Sequence, residues 1–133
     1  MKNMNLTFLV VIYFFYGLAF FSMGLLVAME GGRSTDARLR MALRPLAGFG
    51  LVHAAHEWLE MFYQMGHFNE FLSNIYPVVG LSLLAFSFLS LAAFGSYLVL
   101  GSESTWRVSL IIPLALEAVW VFGLLTFKGQ YQP

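Results

Sequence analysis

His53-Ala54-Ala55-His56-Glu57-Trp58-Leu59-Glu60 is a polar run set inside an apolar segment, Pro45 to Met65, that is long enough in helix to cross a bilayer. Side chains three and four residues apart share a helix face, so His53, His56, Glu57 and Glu60 form one stripe. Ionisable groups within a membrane helix are costly. They turn toward a bundle interior or a water-filled cavity and mark a site.

Outside this stripe the chain is apolar. Of its 133 residues, 59% are hydrophobic and only 11% charged, a balance that belongs to membrane proteins. The mean hydropathy of +0.75 agrees. Most of this apolar surface is expected to face lipid rather than a large water-excluding core. A formal net charge of zero gives no electrostatic reason to expect nucleic acid as a partner. The absence of cysteine removes disulfides, thiolate metal sites and cysteine-based catalysis. The seven methionines are read as packing residues before soft copper ligands. The N-terminal segment carries one lysine, an apolar run too long for a signal peptide and no clear small-residue cleavage site, so it is expected to stay as an anchor.

A hydrocarbon core about 30 Å thick needs roughly 20 apolar residues in helix. Four stretches meet that length, at 6–29, 45–65, 75–100 and 108–127. The expected fold is therefore all-α, a transmembrane four-helix bundle forming a single domain. Gly31-Gly32 with Ser34, Thr35 and Asp36 as N-caps, Gly66 to Asn74, and Gly101 to Ser104 punctuate the helices. Pro77 is expected at the start of the third helix, where its missing N–H costs little. Pro113 falls inside the fourth, where it should kink the helix and free the Ser109 carbonyl. Gly17, Ala19, Ser22 and Gly24 in the first helix, and Gly48, Gly50, Ala54 and Ala55 in the second, permit close helix approach. Tyr76, Trp106 and Tyr131 fall at helix ends and read as interfacial anchors.

Arginine placement sets the expected orientation, because short loops rich in Lys and Arg stay in the cytoplasm. Arg33, Arg38, Arg40 and Arg44 cluster at the first joint, the second joint has no Lys or Arg, and Arg107 stands before the fourth helix. The bundle is then N-out and C-out, a multi-pass protein of the bacterial inner membrane. At about 1.5 Å per residue, His53 and His56 lie roughly 13 to 18 Å beyond Arg44, near the midplane. Glu117 lies about 15 Å beyond Arg107 on the same scale, so it should be level with the histidines. The hydroxyls of Tyr13, Tyr16, Ser87 and Ser90 fall within a turn or two of that level.

Several chemistries fit this stripe. His53, His56, Glu57 and Glu60, with Glu117 or water completing the shell, are ligand types for zinc, iron or copper. Their spacing is neither H-E-x-x-H nor the paired E-x-x-H of di-iron bundles. Haem would need axial ligands on opposite faces of the porphyrin, which two histidines on one helix face cannot supply; His67 lies near the outer joint, so haem would call for a His and Met pair or a partner subunit. Alternatively, the same groups pair with one another and with Glu117, hold the helices in register and respond to protons. A bound organic ligand or quinone is a further reading, in a pocket lined by Trp58, Phe62 and Tyr16 of the first helix.

The first helix, Tyr13-Phe-Phe-Tyr-Gly-Leu-Ala-Phe-Phe-Ser-Met-Gly-Leu, followed by an Arg-rich joint and Gly48-Phe-Gly-Leu-Val-His53-Ala-Ala-His56-Glu57-Trp58, resembles the N-terminal membrane region of bacterial sensor histidine kinases and related signalling proteins. The resemblance covers the first two helices, about half of the chain. It implies a membrane input module that detects a small molecule, ion or redox state and passes the signal to a cytoplasmic output domain. The module itself is read as non-enzymatic, acting through a cytoplasmic domain or partner protein and able to form a homodimer, while a longer parent chain could be a histidine kinase. A looser similarity, to the copper-dependent ethylene-sensing bundle, shares a histidine on the second helix; the cysteine of that copper site is missing here. No kinase, cyclase or PAS-like segment accompanies the helices, and an outside C-terminus could not pass a signal directly inward. A longer parent chain, favoured by the ending Lys128 to Pro133, or action through a partner is therefore expected. A haem-binding electron carrier and a small proton or ion transporter are the rival functions.

Overall fold

The structure, a computed structural model, describes residues 2–100 together with 111, 114–116, 118, 119, 122, 123 and 126. Three helices make up the continuous part: α1 (Lys2–Arg33), α2 (Ala37–Gln64) and α3 (Glu70–Leu100). The described residues beyond Leu100 are helical as well, and no strand occurs among the described residues. The all-α expectation holds. The fourth helix expected at 108–127 has only scattered described positions, and Ser109, Pro113 and Glu117 lie outside the described residues.

Each helix is longer than its apolar run, and at the starts of α2 and α3 a polar side chain satisfies backbone N–H groups that water or headgroups would otherwise serve. α1 continues through Gly31 and Gly32, which were expected to end it, and stops after the Ser34 N–H bonds the Glu30 carbonyl at 3.0 Å. α2 begins eight residues before the expected Pro45. Asp36 caps it, its carboxylate accepting from the N–H groups of Arg38 at 2.8 Å and Leu39 at 3.4 Å. Arg38, Arg40 and Arg44 therefore stand on the first turns of a helix, and Pro45 lies inside it, removing the donor for the Met41 carbonyl. At the far end Gly66, at φ 72°, takes the left-handed conformation that closes the helix. α3 begins at Glu70, with the Asn69 side chain accepting from the Leu72 N–H at 2.8 Å. Pro77 consequently sits two turns inside α3 instead of at its start.

The order of packing follows from which faces are small and which are polar. α2 lies between α1 and α3, and the backbones of the outer two do not approach each other. The Arg38 guanidinium near the start of α2 donates to the Leu98 carbonyl near the end of α3, at 3.4 Å, and this antiparallel register brings residues 53 and 60 opposite 87 and 76. α1 over Leu6–Arg33 and α3 over Glu70–Val99 are long and apolar enough to cross a membrane. α2, the most polar of the three, is not among the helices that meet that measure. Its charged stripe is thus flanked by two apolar helices.

The small residues of α1 and α2 act as expected at four positions. A Cβ built on Gly50 would lie 2.8 Å from the Gly24 Cα, and one on Gly24 would lie 2.9 Å from the Leu51 nitrogen, so the backbones meet at this point. Gly17 lies under the Trp58 indole, and Ala54 is fully buried. Ala19, Ser22 and Ala55 are exposed and take no part.

Candidate functional site

Because α2 is one unbroken helix, the four residues of the stripe do share a face, and it turns toward the seam with α3. His53 stands where all three helices meet. Its ring contacts Phe20 of α1 edge-on at 4.4 Å, Phe49 of its own helix at 5.3 Å and Phe88 of α3 at 5.9 Å between centroids. Both nitrogens are engaged: Nδ1 lies 3.1 Å from Ser87 Oγ, and Nε2 lies 3.4 Å from Glu57 Oε1. Ser87 is fully buried and gives its single proton to the Leu84 carbonyl at 2.7 Å. Its oxygen must therefore accept from His53, which puts a proton on Nδ1. Nε2 and the Glu57 carboxyl then face each other across a gap that only a proton on one of them makes favourable. Both side chains are largely shielded, with 12% and 14% of their surface exposed.

One turn on, the His56 ring lies 6.0 Å from that of His53. Its Nδ1 is buried with no hydrogen-bond partner among the described residues. An unpaired buried polar nitrogen costs on the order of 1–3 kcal/mol, so this position is unfavourable unless something occupies it. Beside it an open cleft of about 280 Å³ runs between α2 and α3, lined by His56, Glu60, Tyr76, Pro77, Gly80, Leu81 and Leu84. Glu60 accepts a 2.5 Å hydrogen bond from the Tyr76 hydroxyl. Tyr76 is itself held flat against Tyr63, the rings 3.9 Å apart and parallel, with Phe68 edge-on to both at 5.8 Å. The cleft therefore presents one imidazole, one carboxylate and one phenol within apolar walls.

The expected residues divide accordingly. His53 and Glu57 form one unit, while His56 and Glu60 border the cleft. Ser87 joins the network as expected, whereas Ser90 turns back to the Phe86 carbonyl at 3.0 Å. Glu117, the residue expected to face the stripe, lies outside the described residues; the partners that the structure shows are Ser87 and Tyr76. Among the described residues no three His, Asp or Glu side chains gather as a metal ion would need. Trp58 and Tyr16, read as ligand contacts, do not line this cleft. The Trp58 indole packs on Phe21 at 5.4 Å and donates to the Phe14 carbonyl at 3.4 Å. Tyr16 is 57% exposed on the outer side of α1.

Tyr76 is the site residue that the sequence reading missed. Starting the third helix at Ile75 placed it at a membrane interface; a start at Glu70 sets it two turns in, opposite Glu60. The signal available was Asn69 as a cap before Glu70.

Comparison with family models, with curated proteins and with solved structures finds no match for this chain.

Proposed function

We propose that this chain is a membrane sensory input module that takes a small hydrogen-bonding or cationic ligand at the α2/α3 seam and signals to a cytoplasmic domain or partner. The observation that carries the proposal is the buried, unpartnered Nδ1 of His56 beside an open cleft bordered by Glu60 and Tyr76. A ligand that bonds the His56 imidazole and the Glu60 carboxylate of α2 and the Tyr76 hydroxyl of α3 satisfies an unpaired group and is gripped from both helices at once. Its occupancy then bears on how α2 sits against α3. The contact of His53 with Glu57, one turn away, places a second titratable pair at the same seam.

Membrane residence is supported by the apolar faces of the outer helices. Phe8, Phe15 and Leu26 on α1, and Phe71, Val78 and Phe86 on α3, are each 60% or more exposed. Lipid is the solvent in which such faces are stable. In this reading α2 crosses between them with its arginine end in the cytoplasm, the N-terminus outside, and helix four at 108–127 completing the bundle.

The test compares wild-type and His56→Ala proteins purified in detergent, by elemental analysis, visible spectrum and thermal midpoint with and without added Zn²⁺ and imidazole as probes. The expected result is a bound component or a probe-induced rise in the midpoint in the wild type that His56→Ala loses. A wild-type protein that carries nothing and whose conformation responds to neither probe nor pH overturns the reading. Equal retention by both proteins moves the ligand away from His56 and overturns the site.

A further inference from the structure

At the opposite end of α2 a second opening is unused by the proposed function. A groove of about 430 Å³ lies between α1 and α2, with Val27, Ala28, Leu43 and Leu51 among its apolar walls and Arg40 and Arg44 at its border. Gly31 is buried against Leu43, which lets the end of α1 shape one wall without a side chain of its own. Arg40 and Arg44 are four residues apart on a helix, hence on one face. Among the described residues no carboxylate borders the groove.

The nearby charges are otherwise committed, and that decides what the groove would take. Glu30 pairs with Arg33 at 3.7 Å. Asp36 caps α2, and Arg38 reaches the Leu98 carbonyl. Arg40 spends one N–H on the Ser34 carbonyl at 3.2 Å and keeps its others. Arg44 is exposed and has no hydrogen bond or ion pair among the described residues. Two guanidiniums with free donors, above an apolar groove, match a phosphate joined to an acyl chain. The position agrees with this: Arg44 stands about 13 Å along the helix from His53, which is the separation of headgroup from midplane.

We infer that the groove between α1 and α2 is a binding site for an anionic phospholipid, its phosphate held by Arg40 and Arg44 and its chain laid between Val27 and Leu51. This site is independent of the His56 cleft and stands or falls separately.

The test uses the full chain in nanodiscs of phosphatidylcholine, alone or mixed with phosphatidylglycerol, and counts retained lipid by native mass spectrometry. Arg40→Gln, Arg44→Gln and their double variant are compared with Arg33→Gln, which removes the same charge at the exposed Glu30 pair. The wild type is expected to retain phosphatidylglycerol over phosphatidylcholine. Retention should weaken roughly five-fold for each groove arginine lost and about thirty-fold for both, the weight of one basic residue near an anionic surface. Arg33→Gln should retain lipid as the wild type does, and Ala28→Phe, which fills the groove without changing charge, should release it. Equal loss in Arg33→Gln would show a diffuse basic attraction and overturn the site. A thermal shift in detergent produced as well by inorganic phosphate as by short-chain phosphatidylglycerol would overturn the lipid assignment, as would retention unchanged in the double variant.

Discussion

Where α2 meets α1, Gly24 and Gly50 bring two backbones into direct contact; where it meets α3, His53 reaches Ser87, Glu60 reaches Tyr76, and a cleft stays open between them. In a membrane, helices gain little from burying apolar side chains that lipid would solvate equally well. One seam therefore relies on closeness of approach, and dispersion between backbones supplies its cohesion. The other relies on a few directional bonds, which hold the helices without filling the space. A polar seam can admit a ligand between its bonds, whereas at Gly24 and Gly50 the touching backbones leave no room for one. On the proposed function, the difference puts stability mainly at α1/α2 and response at α2/α3.

The most damaging change should fall on the closed seam. In Gly50→Ala the added methyl carbon would stand 2.8 to 2.9 Å from the Gly24 Cα, the Gly24 nitrogen and the Phe20 carbonyl oxygen, all of them backbone. Nothing there can rotate away, so the helices must separate. A loss of about 2–3 kcal/mol is expected, the cost of overpacking a filled contact. It would be read as a lower thermal midpoint in detergent, and an unchanged midpoint would break the contrast between the seams.

Next in size is Ser87→Ala on the open seam. It removes the acceptor for His53 Nδ1 and leaves that donor buried among Phe20, Phe49 and Phe88. About 1–2 kcal/mol should be lost, within the range for an orphaned buried polar group. The effect should largely vanish in a His53→Leu background, because the orphaned donor is then gone. Additive losses in the double variant would deny the coupling.

How much of this arrangement could be read beforehand depended on whether a feature is local. The stripe on α2 was legible, because helical spacing alone puts residues 53, 56, 57 and 60 on one face. Gly17, Gly24, Gly50 and Ala54 were legible as contact residues for a similar reason: small side chains on apolar helices have few other uses. Of the partners, Ser87 was legible only as one of four hydroxyls at the right depth, and Tyr76 was not legible. Depth from the arginines pointed to Glu117 across the bundle, whereas Ser87 and Tyr76 depend on which helix packs beside α2 and in what register. Helix ends were misjudged wherever hydropathy alone set them. Asp36 and Asn69 extend α2 and α3 well past their apolar runs, and that extension moves Pro45, Pro77 and Tyr76 from helix ends to helix interiors.

Tyr76→Phe tests the open seam more gently. The ring can keep its stack on Tyr63 while the hydrogen bond to Glu60 is lost, so stability should fall by only about 0.6 kcal/mol, the average for such bonds between membrane helices. Binding at the cleft should suffer more than stability does, since Glu60 loses the partner that fixes its carboxylate. A stability loss as large as that of Gly50→Ala would make Tyr76 a structural tie and remove the division between the seams.

The opposite sign is expected from repeating the Gly→Ala change where no seam is found among the described residues. Gly95 lies in α3, and a Cβ added there meets nothing within 4 Å among the described residues. Alanine loses less backbone freedom on folding than glycine does within a helix, so Gly95→Ala should leave the midpoint unchanged or raise it, by up to about 0.5–1 kcal/mol of stability. Gly95→Ala and Gly50→Ala thus add the same methyl group with opposite expected signs. The difference between them measures the backbone contact at Gly24 apart from helix propensity, which both changes share. If both variants were stabilised, propensity alone would account for them, and the closeness of α1 to α2 would contribute nothing to holding the helices together.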